Sequence, residues 1–190
     1  ILDASAFKSL RPFGDNYFYI RPIIHSIGEL KKEGILPDEF VRLTEANERD
    51  FLKIEDLFYD SGVYKGRMKG KYTDEQKYIN RNKELAEIYG LYQEKLKELR
   101  FYDYNDMIIE VMKALENNKN LLLTLQEQYL YILVDEHQDT NSAQNKILEL
   151  LANYYDNPNL FIVGDENRRY FVFRGLLRKI SIILKIYIKI

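Results

Sequence analysis

Asp135, Glu136 and Asp139 fall close together where the segment YILVDEHQDTNSAQ, residues 131–144, leaves an apolar run. Carboxylates so placed have a defined chemical use. One can hold the water shell of a divalent cation beside a nucleotide, and a second can orient or deprotonate the water that attacks phosphorus. A plainer account also fits, in which acids at a strand-to-helix turn are solvated and favour the amino end of the helix. His137 stands among them, but the chain has only 2 histidines and no cysteine, a poor stock for a zinc or di-metal hydrolase.

To do chemistry these acids must stand at the carboxyl end of a strand, where ligands of parallel α/β sheets bind. YLYILV, residues 129–134, is a short continuous apolar run rich in strand formers, as expected for a strand covered on both faces. LFIVGD, residues 160–165, is a second of the same kind. Between them Asn141 and Gln144 form a capping-box pattern that opens the helix SAQNKILELLANYY. Strand, helix and strand make a βαβ unit with an expected right-handed crossover.

Upstream the pattern is helical. Ile23, Ile24, Ile27 and Leu30 recur at three- and four-residue steps, and Gly34 and Pro37 end one helix and admit the next. Thr73 with Gln76 is another capping-box pattern, opening a helix with Leu85, Ile88, Tyr89, Tyr92, Leu96 and Leu99 on one face and weakened slightly by Gly90. Asp103 is placed to cap YNDMIIEVMKAL, which frays at Asn117 and Asn118. In the tail RKISIILKIYIKI, Ile180, Ile182, Leu184, Ile186, Ile188 and Ile190 alternate as in a strand, although a helical period is also present. Its β-branched content favours the strand, which would be an aggregation hazard if left unpaired.

At 190 residues and 46% hydrophobic content the chain can bury one core or two small ones. Its 28 Lys and Arg against 30 Asp and Glu leave a net charge of -2, so any attraction to nucleic acid must be local. The absence of cysteine excludes a disulfide framework and a thiol nucleophile. No signal segment opens the chain and no apolar run reaches the roughly 18 residues of a membrane helix, so a cytoplasmic protein without membrane contact is expected. Ile1 in place of Met suggests a piece of a longer chain.

LVDEHQDTN followed by Gln144, and later FIVGDENRRYFVFRGL, resemble motifs II and III of the UvrD/Rep/PcrA helicases of superfamily 1. IYGLYQEKLKELRFYDYNDMI is similar to that family's helical approach to its ATPase core, and IIHSIGELKKEGILPDEF to its inserted helical subdomain. The resemblance covers most of residues 15–176. It implies an α/β fold, a partial RecA-like P-loop NTPase core of parallel strands with helices, preceded by a mostly helical inserted subdomain. Residues 1–100 would form that subdomain, 101–176 part of the first ATPase lobe, and 177–190 an atypical Ile/Lys-rich tail.

The resemblance also implies ATP and Mg2+ as cofactors and assigns roles. Asp135 would hold the metal, Glu136 would activate the attacking water, and Gln138 would couple nucleotide to the neighbouring motif. Asp139 and Thr140 would build the turn, and His137 would fill space. Motif III departs from the family's approximate VGDDDQSIYxFRGA. Arg168 stands where a Gln would sense the γ-phosphate, a change of both length and charge. Phe171 and Phe173 match positions on which single-stranded bases stack, with core packing the alternative. Arg174 would link back to the motif II acids.

No G-x-x-x-x-G-K-[ST] phosphate loop occurs; KGKYT at 69–73 has Tyr72 at the hydroxyl position and lacks the upstream glycine. The family's second lobe is also missing, so the isolated chain is expected to bind ATP weakly and hydrolyse little. YKGRMKGKYTDEQKYINRNK interleaves Lys65, Arg67, Lys69, Lys71, Lys77, Arg81 and Lys83 with Tyr64, Tyr72 and Tyr78, the best local candidate for a DNA contact. A solvated loop and helix face would have the same composition. The expected function is part of an ATP-dependent DNA helicase or translocase moving 3′ to 5′ on single-stranded DNA, with duplex junctions and the missing helicase lobes as partners. The alternatives are a degenerate, non-catalytic module that binds DNA or a protein, and an exonuclease-helicase relative.

Overall fold

The computed structural model describes residues 9–10, 18–154 and 158–164. Arg168, Phe171, Phe173, Arg174 and the tail 177–190 lie outside the described residues. The chain divides into two compact units. One combines the residues up to His25 with Ile35–Phe101, and the other combines Ser26–Gly34 with Tyr102 onward.

The first unit is built on α2 (Pro37–Leu52) and α3 (Thr73–Leu99), which pack against each other. Pro37 opens α2 at a position where its missing N–H costs nothing. The buried residues Phe40, Thr44 and Phe51 of α2 and Ile79, Leu85, Ala86, Ile88 and Tyr89 of α3 recur at helical spacing, so each helix closes one apolar stripe on its neighbour. The fully buried Tyr89 hydroxyl donates to the Ile35 carbonyl at 3.1 Å, which satisfies the one polar atom of that ring.

The entry to α3 differs from expectation. The chain arrives through a tight turn, Gly70–Tyr72, and Thr73 is already helical, so its hydroxyl caps nothing. Gln76 donates instead to the Asn80 side chain at 3.0 Å. The helix also outlasts its buried stripe, leaving Leu99 exposed.

In the second unit α4 (Tyr104–Asn117), α5 (Lys119–Gln128) and α6 (Ser142–Ala152) pack together over Ile109, Met112, Leu115 and Ala143. The second half of α1 (Ile20–Lys32) belongs to this unit and buries Ile27 and Leu30, whereas Ile24 stays exposed. Gly34 leaves α1 at φ 75°, where a side chain would be strained, and a Cβ there would meet Ala143 at 3.8 Å. Asp103 and Asn141 cap α4 and α6 as expected, both as reciprocal capping boxes.

Helix α5 differs from the sequence expectation, which ends the helical run at Asn117 and Asn118. Asn118 closes α4 with its backbone N–H and caps α5 with its side chain, so the polar pair that reads as an end is also a beginning. Tyr129 in turn closes α5, bonding to Leu125, which removes it from the strand that follows. The strands are therefore short: β1 (Ile132–Val134) and β2 (Leu160–Ile162), paired in parallel with Ile132 opposite Leu160. They are also barer than a doubly covered strand, with Leu133 76% and Phe161 63% exposed. The face that carries these two side chains is left uncovered by the other described residues. The described chain is mostly helical with this small parallel sheet. No described helix is long and apolar enough to cross a membrane.

Candidate functional site

Asp135 and Glu136 directly follow β1, at the carboxyl end of a parallel strand pair. The pairing continues past the strands: the Val163 amide donates to the Val134 carbonyl at 2.8 Å, and the His137 amide to the Val163 carbonyl at 3.0 Å. Between these two anchors the chain must turn outward. It does so by placing Glu136 at φ 48°, ψ 38°, a left-handed conformation uncommon for any residue but glycine, Asn or Asp. Strain of this kind persists where the surroundings over-determine it and clusters at functional sites. Both carboxylates are exposed at this turn.

Each acid has a local partner. Asp135 accepts the Glu136 amide on one oxygen at 2.8 Å. Glu136 accepts a hydrogen bond from the Gln138 side-chain amide. An exposed carboxylate with an oxygen to spare fits Mg2+, which takes one or two protein carboxylates and fills its remaining positions with water and phosphate oxygens. Among the described residues no cluster of three His, Cys, Asp or Glu side chains suits a transition metal.

The turn beneath the acids is held from α6. His137 is buried, and its Nε2 lies 2.8 Å from the Asn145 side-chain oxygen, which also receives the Thr140 hydroxyl at 3.2 Å. Thr140 closes the turn on the His137 carbonyl at 2.7 Å, and the Asp139 amide bonds to the Glu136 carbonyl at 2.8 Å. Helix α6 is itself tied to the residue that follows α1 by the Ser142 hydroxyl donating to Glu33 at 2.6 Å. In the sequence Asn145 is a polar residue inside a helix and carries no sign of the turn it supports. A recess along the strands, flanked by Tyr131, Leu133, Pro158 and Phe161, is lined by no carboxylate or cation and is not where a nucleotide's phosphates would sit.

Gly164 is the second residue the sequence undersold. A Cβ there would fall 2.5 Å from the Gln138 side-chain oxygen and 3.2 Å from the His137 amide nitrogen. Gly164→Ala should therefore push Gln138 off Glu136 and destabilise this turn by about 1–3 kcal/mol, as overpacking does. Chemical denaturation of the full chain measures the loss; an unchanged midpoint would show that Gln138 gives way freely.

The basic stretch forms a hairpin. Phe58 bridges Met68 in antiparallel pairing, with Tyr59 to Arg67 at 3.0 Å and Lys69 to Leu57 at 2.9 Å closing the arms. Its base is rooted in a cluster of Phe51, Leu57 and Ile79 with Met68 and Tyr72 packed against them, while Val63 at the tip is fully in solvent. The Tyr59 and Tyr64 rings lie 5.9 Å apart. Arg67 stands 5.9 Å over Tyr64, Lys69 5.6 Å over Tyr59 and Lys71 4.8 Å over Tyr72.

Of the expected DNA-contacting cations, Lys69 and Lys71 both bond the Asp56 carboxylate. Hydrogen bonds from Lys69 first, then Lys71, hold Asp56 down at about 2, so it is ionised throughout the neutral range. Lys65 and Arg67 have no carboxylate partner among the described residues. Lys77 and Lys83 are paired with Asp74 and Glu48. The structure thus gathers Asp135, Glu136 and Gln138 at one strand end and Lys65, Arg67, Lys69 and Lys71 on one hairpin.

Residues 19–188 match the family model described as the UvrD/REP helicase N-terminal domain. Over 103 residues, or 54% of its length, the chain is 42% identical to a probable DNA helicase of Mycoplasma pneumoniae, and it spans 19% of that protein. It is 33% identical over 96 residues to the ATP-dependent DNA helicase Rep of Buchnera aphidicola, covering 50% of this chain and 15% of that one. A third relative is the ATP-dependent DNA helicase PcrA of Leuconostoc citreum, 37% identical over 91 residues, 48% of this chain and 12% of that one. The chain therefore corresponds to less than a fifth of the length of these relatives. With a match that runs over nearly its whole length, the chain belongs to the UvrD/REP helicase N-terminal domain family.

Proposed function

We propose that the chain is part of an ATP-dependent DNA helicase or translocase that moves 3′ to 5′ on single-stranded DNA. It would supply the motif II and III half of a RecA-like ATPase lobe, residues 101–176, and much of a helical inserted subdomain, residues 1–100, although Ser26–Gly34 from the latter range groups with the later residues. The observation that supports this best is the strained Glu136 beside Asp135 at the open end of a parallel strand pair, with Gln138 between Glu136 and Gly164.

Asp135 would hold Mg2+ through its exposed carboxylate. Held there with ATP, the ion would supply positive charge against the phosphates of the nucleotide. Glu136 would accept the proton of the attacking water, its carboxylate steadied by Gln138. Gln138 bonds Glu136 and lies close against Gly164, so it would be placed to carry a change at the nucleotide into the segment bearing Arg168, Phe171, Phe173 and Arg174. Those four would sense phosphate, stack bases and pair with the motif II acids. The phosphate cradle and a second lobe would come from the rest of a longer parent, and DNA would be reached partly through Lys65, Arg67, Lys69 and Lys71.

Single-strand-stimulated ATP hydrolysis by a longer polypeptide containing this chain is the test. Stimulation of tenfold or more, roughly, is expected when bound DNA completes the site. A parent that binds single-stranded DNA tightly yet never hydrolyses ATP would instead identify a degenerate binding module.

A further inference from the structure

We propose that Asp56 is a built-in competitor for nucleic-acid phosphate: it occupies a fork made by Lys69 and Lys71, and single-stranded DNA binds the hairpin by exchanging that carboxylate for a backbone phosphate. The inference rests on the proposal above that this segment touches DNA, and adds how the contact is controlled.

The two ammonium groups converge on one carboxylate, the arrangement a phosphate would also satisfy. Asp56 and Lys71 are each more than half exposed, so a ligand from solvent can reach the fork. Exposed ion pairs contribute little to folding, so the exchange is not opposed by much. The hairpin itself does not depend on it, because Leu57 and Met68 root the arms in the core and backbone bonds close them.

The rest of the surface suits an unpaired strand. Residues 61–72 hold four cations and no acid, and Lys65 and Arg67 need no rearrangement to meet further phosphates. Tyr59 and Tyr64 are exposed neighbours whose ring faces can take bases. In a duplex those base faces are already stacked on one another, so the rings select single strands. In the free protein Asp56 cancels one charge of this patch, and both lysines are held until a polyanion displaces it.

The test titrates the full chain with a fluorescein-labelled oligo-dT over a range of salt. Asp56→Asn should tighten binding about three- to tenfold at low salt and steepen the log–log salt dependence by up to about 0.7, the single further charge that Asp56 no longer cancels. Adding Lys69→Gln and Lys71→Gln should erase both gains. Tyr59→Leu with Tyr64→Leu should weaken binding roughly fivefold or more. A thermal melt of each variant shows that the fold is kept, and Asp56→Glu, which retains the competing anion, should behave as wild type. If Asp56→Asn binds no more tightly than wild type, Asp56 is only a staple and the inference fails. If duplex binds as well as oligo-dT, the stacking platform fails. If neither wild type nor Asp56→Asn binds any DNA, the proposed DNA contact of the hairpin is itself wrong.

Discussion

Glu136→Gln should lower ATP turnover in the longer parent by about two to four orders of magnitude, the usual contribution of a positioned general base. Nucleotide affinity should hold within about threefold, since the amide keeps the shape of the side chain. The basis is local. Glu136 sits in a left-handed backbone conformation that the flanking bonds to Val163 impose, and this turns its carboxylate outward beside Asp135 rather than back along the strand. The amide could still meet Gln138 but could not take a proton. Steady-state hydrolysis and nucleotide titration separate the two effects. Turnover equal to wild type would remove Glu136 from the chemistry, and a parallel collapse of nucleotide binding would make it a ligand rather than a base.

Lys31→Met should cost the second unit about 3–5 kcal/mol, the loss expected when one partner of a buried ionic group is deleted. Lys31 is 0% exposed, and its ammonium lies 2.6 Å from both Asp103 and Asp106. Each carboxylate divides its oxygens between two tasks. Asp103 accepts the Asp106 amide on Oδ1 and Lys31 on Oδ2, while Asp106 accepts the Asp103 amide on Oδ2 and meets Lys31 with Oδ1. The cation thus welds the end of α1 to the capping box of α4. Methionine would fill the space of the stem and leave two carboxylates facing each other, one of them only 8% exposed.

Urea denaturation of the full chain should show a lower midpoint at nearly constant slope. Adding Asp103→Asn and Asp106→Asn to Lys31→Met should recover part of the loss, because the stranded charges are then gone. A single mutant within about 1 kcal/mol of wild type would mean that water reaches the cluster and the charges were never desolvated.

Features that depend on neighbours along the chain are legible in the residues alone. Asp103 with Asp106 and Asn141 with Gln144 cap their helices because each box is complete within four residues, and the acids follow β1 because an apolar run of strand formers ends there. DEHQDTN was enough to indicate the family, since its side chains are confined to one turn. Thr73 failed as a cap for a reason beyond its own neighbours: the preceding Gly70–Tyr72 turn, anchored by Tyr72 against Phe51, brought the chain into helix one residue early. Packing in three dimensions was needed to pair Lys31 with Asp103, to set Asn145 beneath the His137 turn, to deny Gly164 a side chain, and to bring Asp56 rather than solvent to Lys69 and Lys71. Each of these joins residues from different elements, and a partner brought in by packing leaves no period or spacing in the chain to announce it.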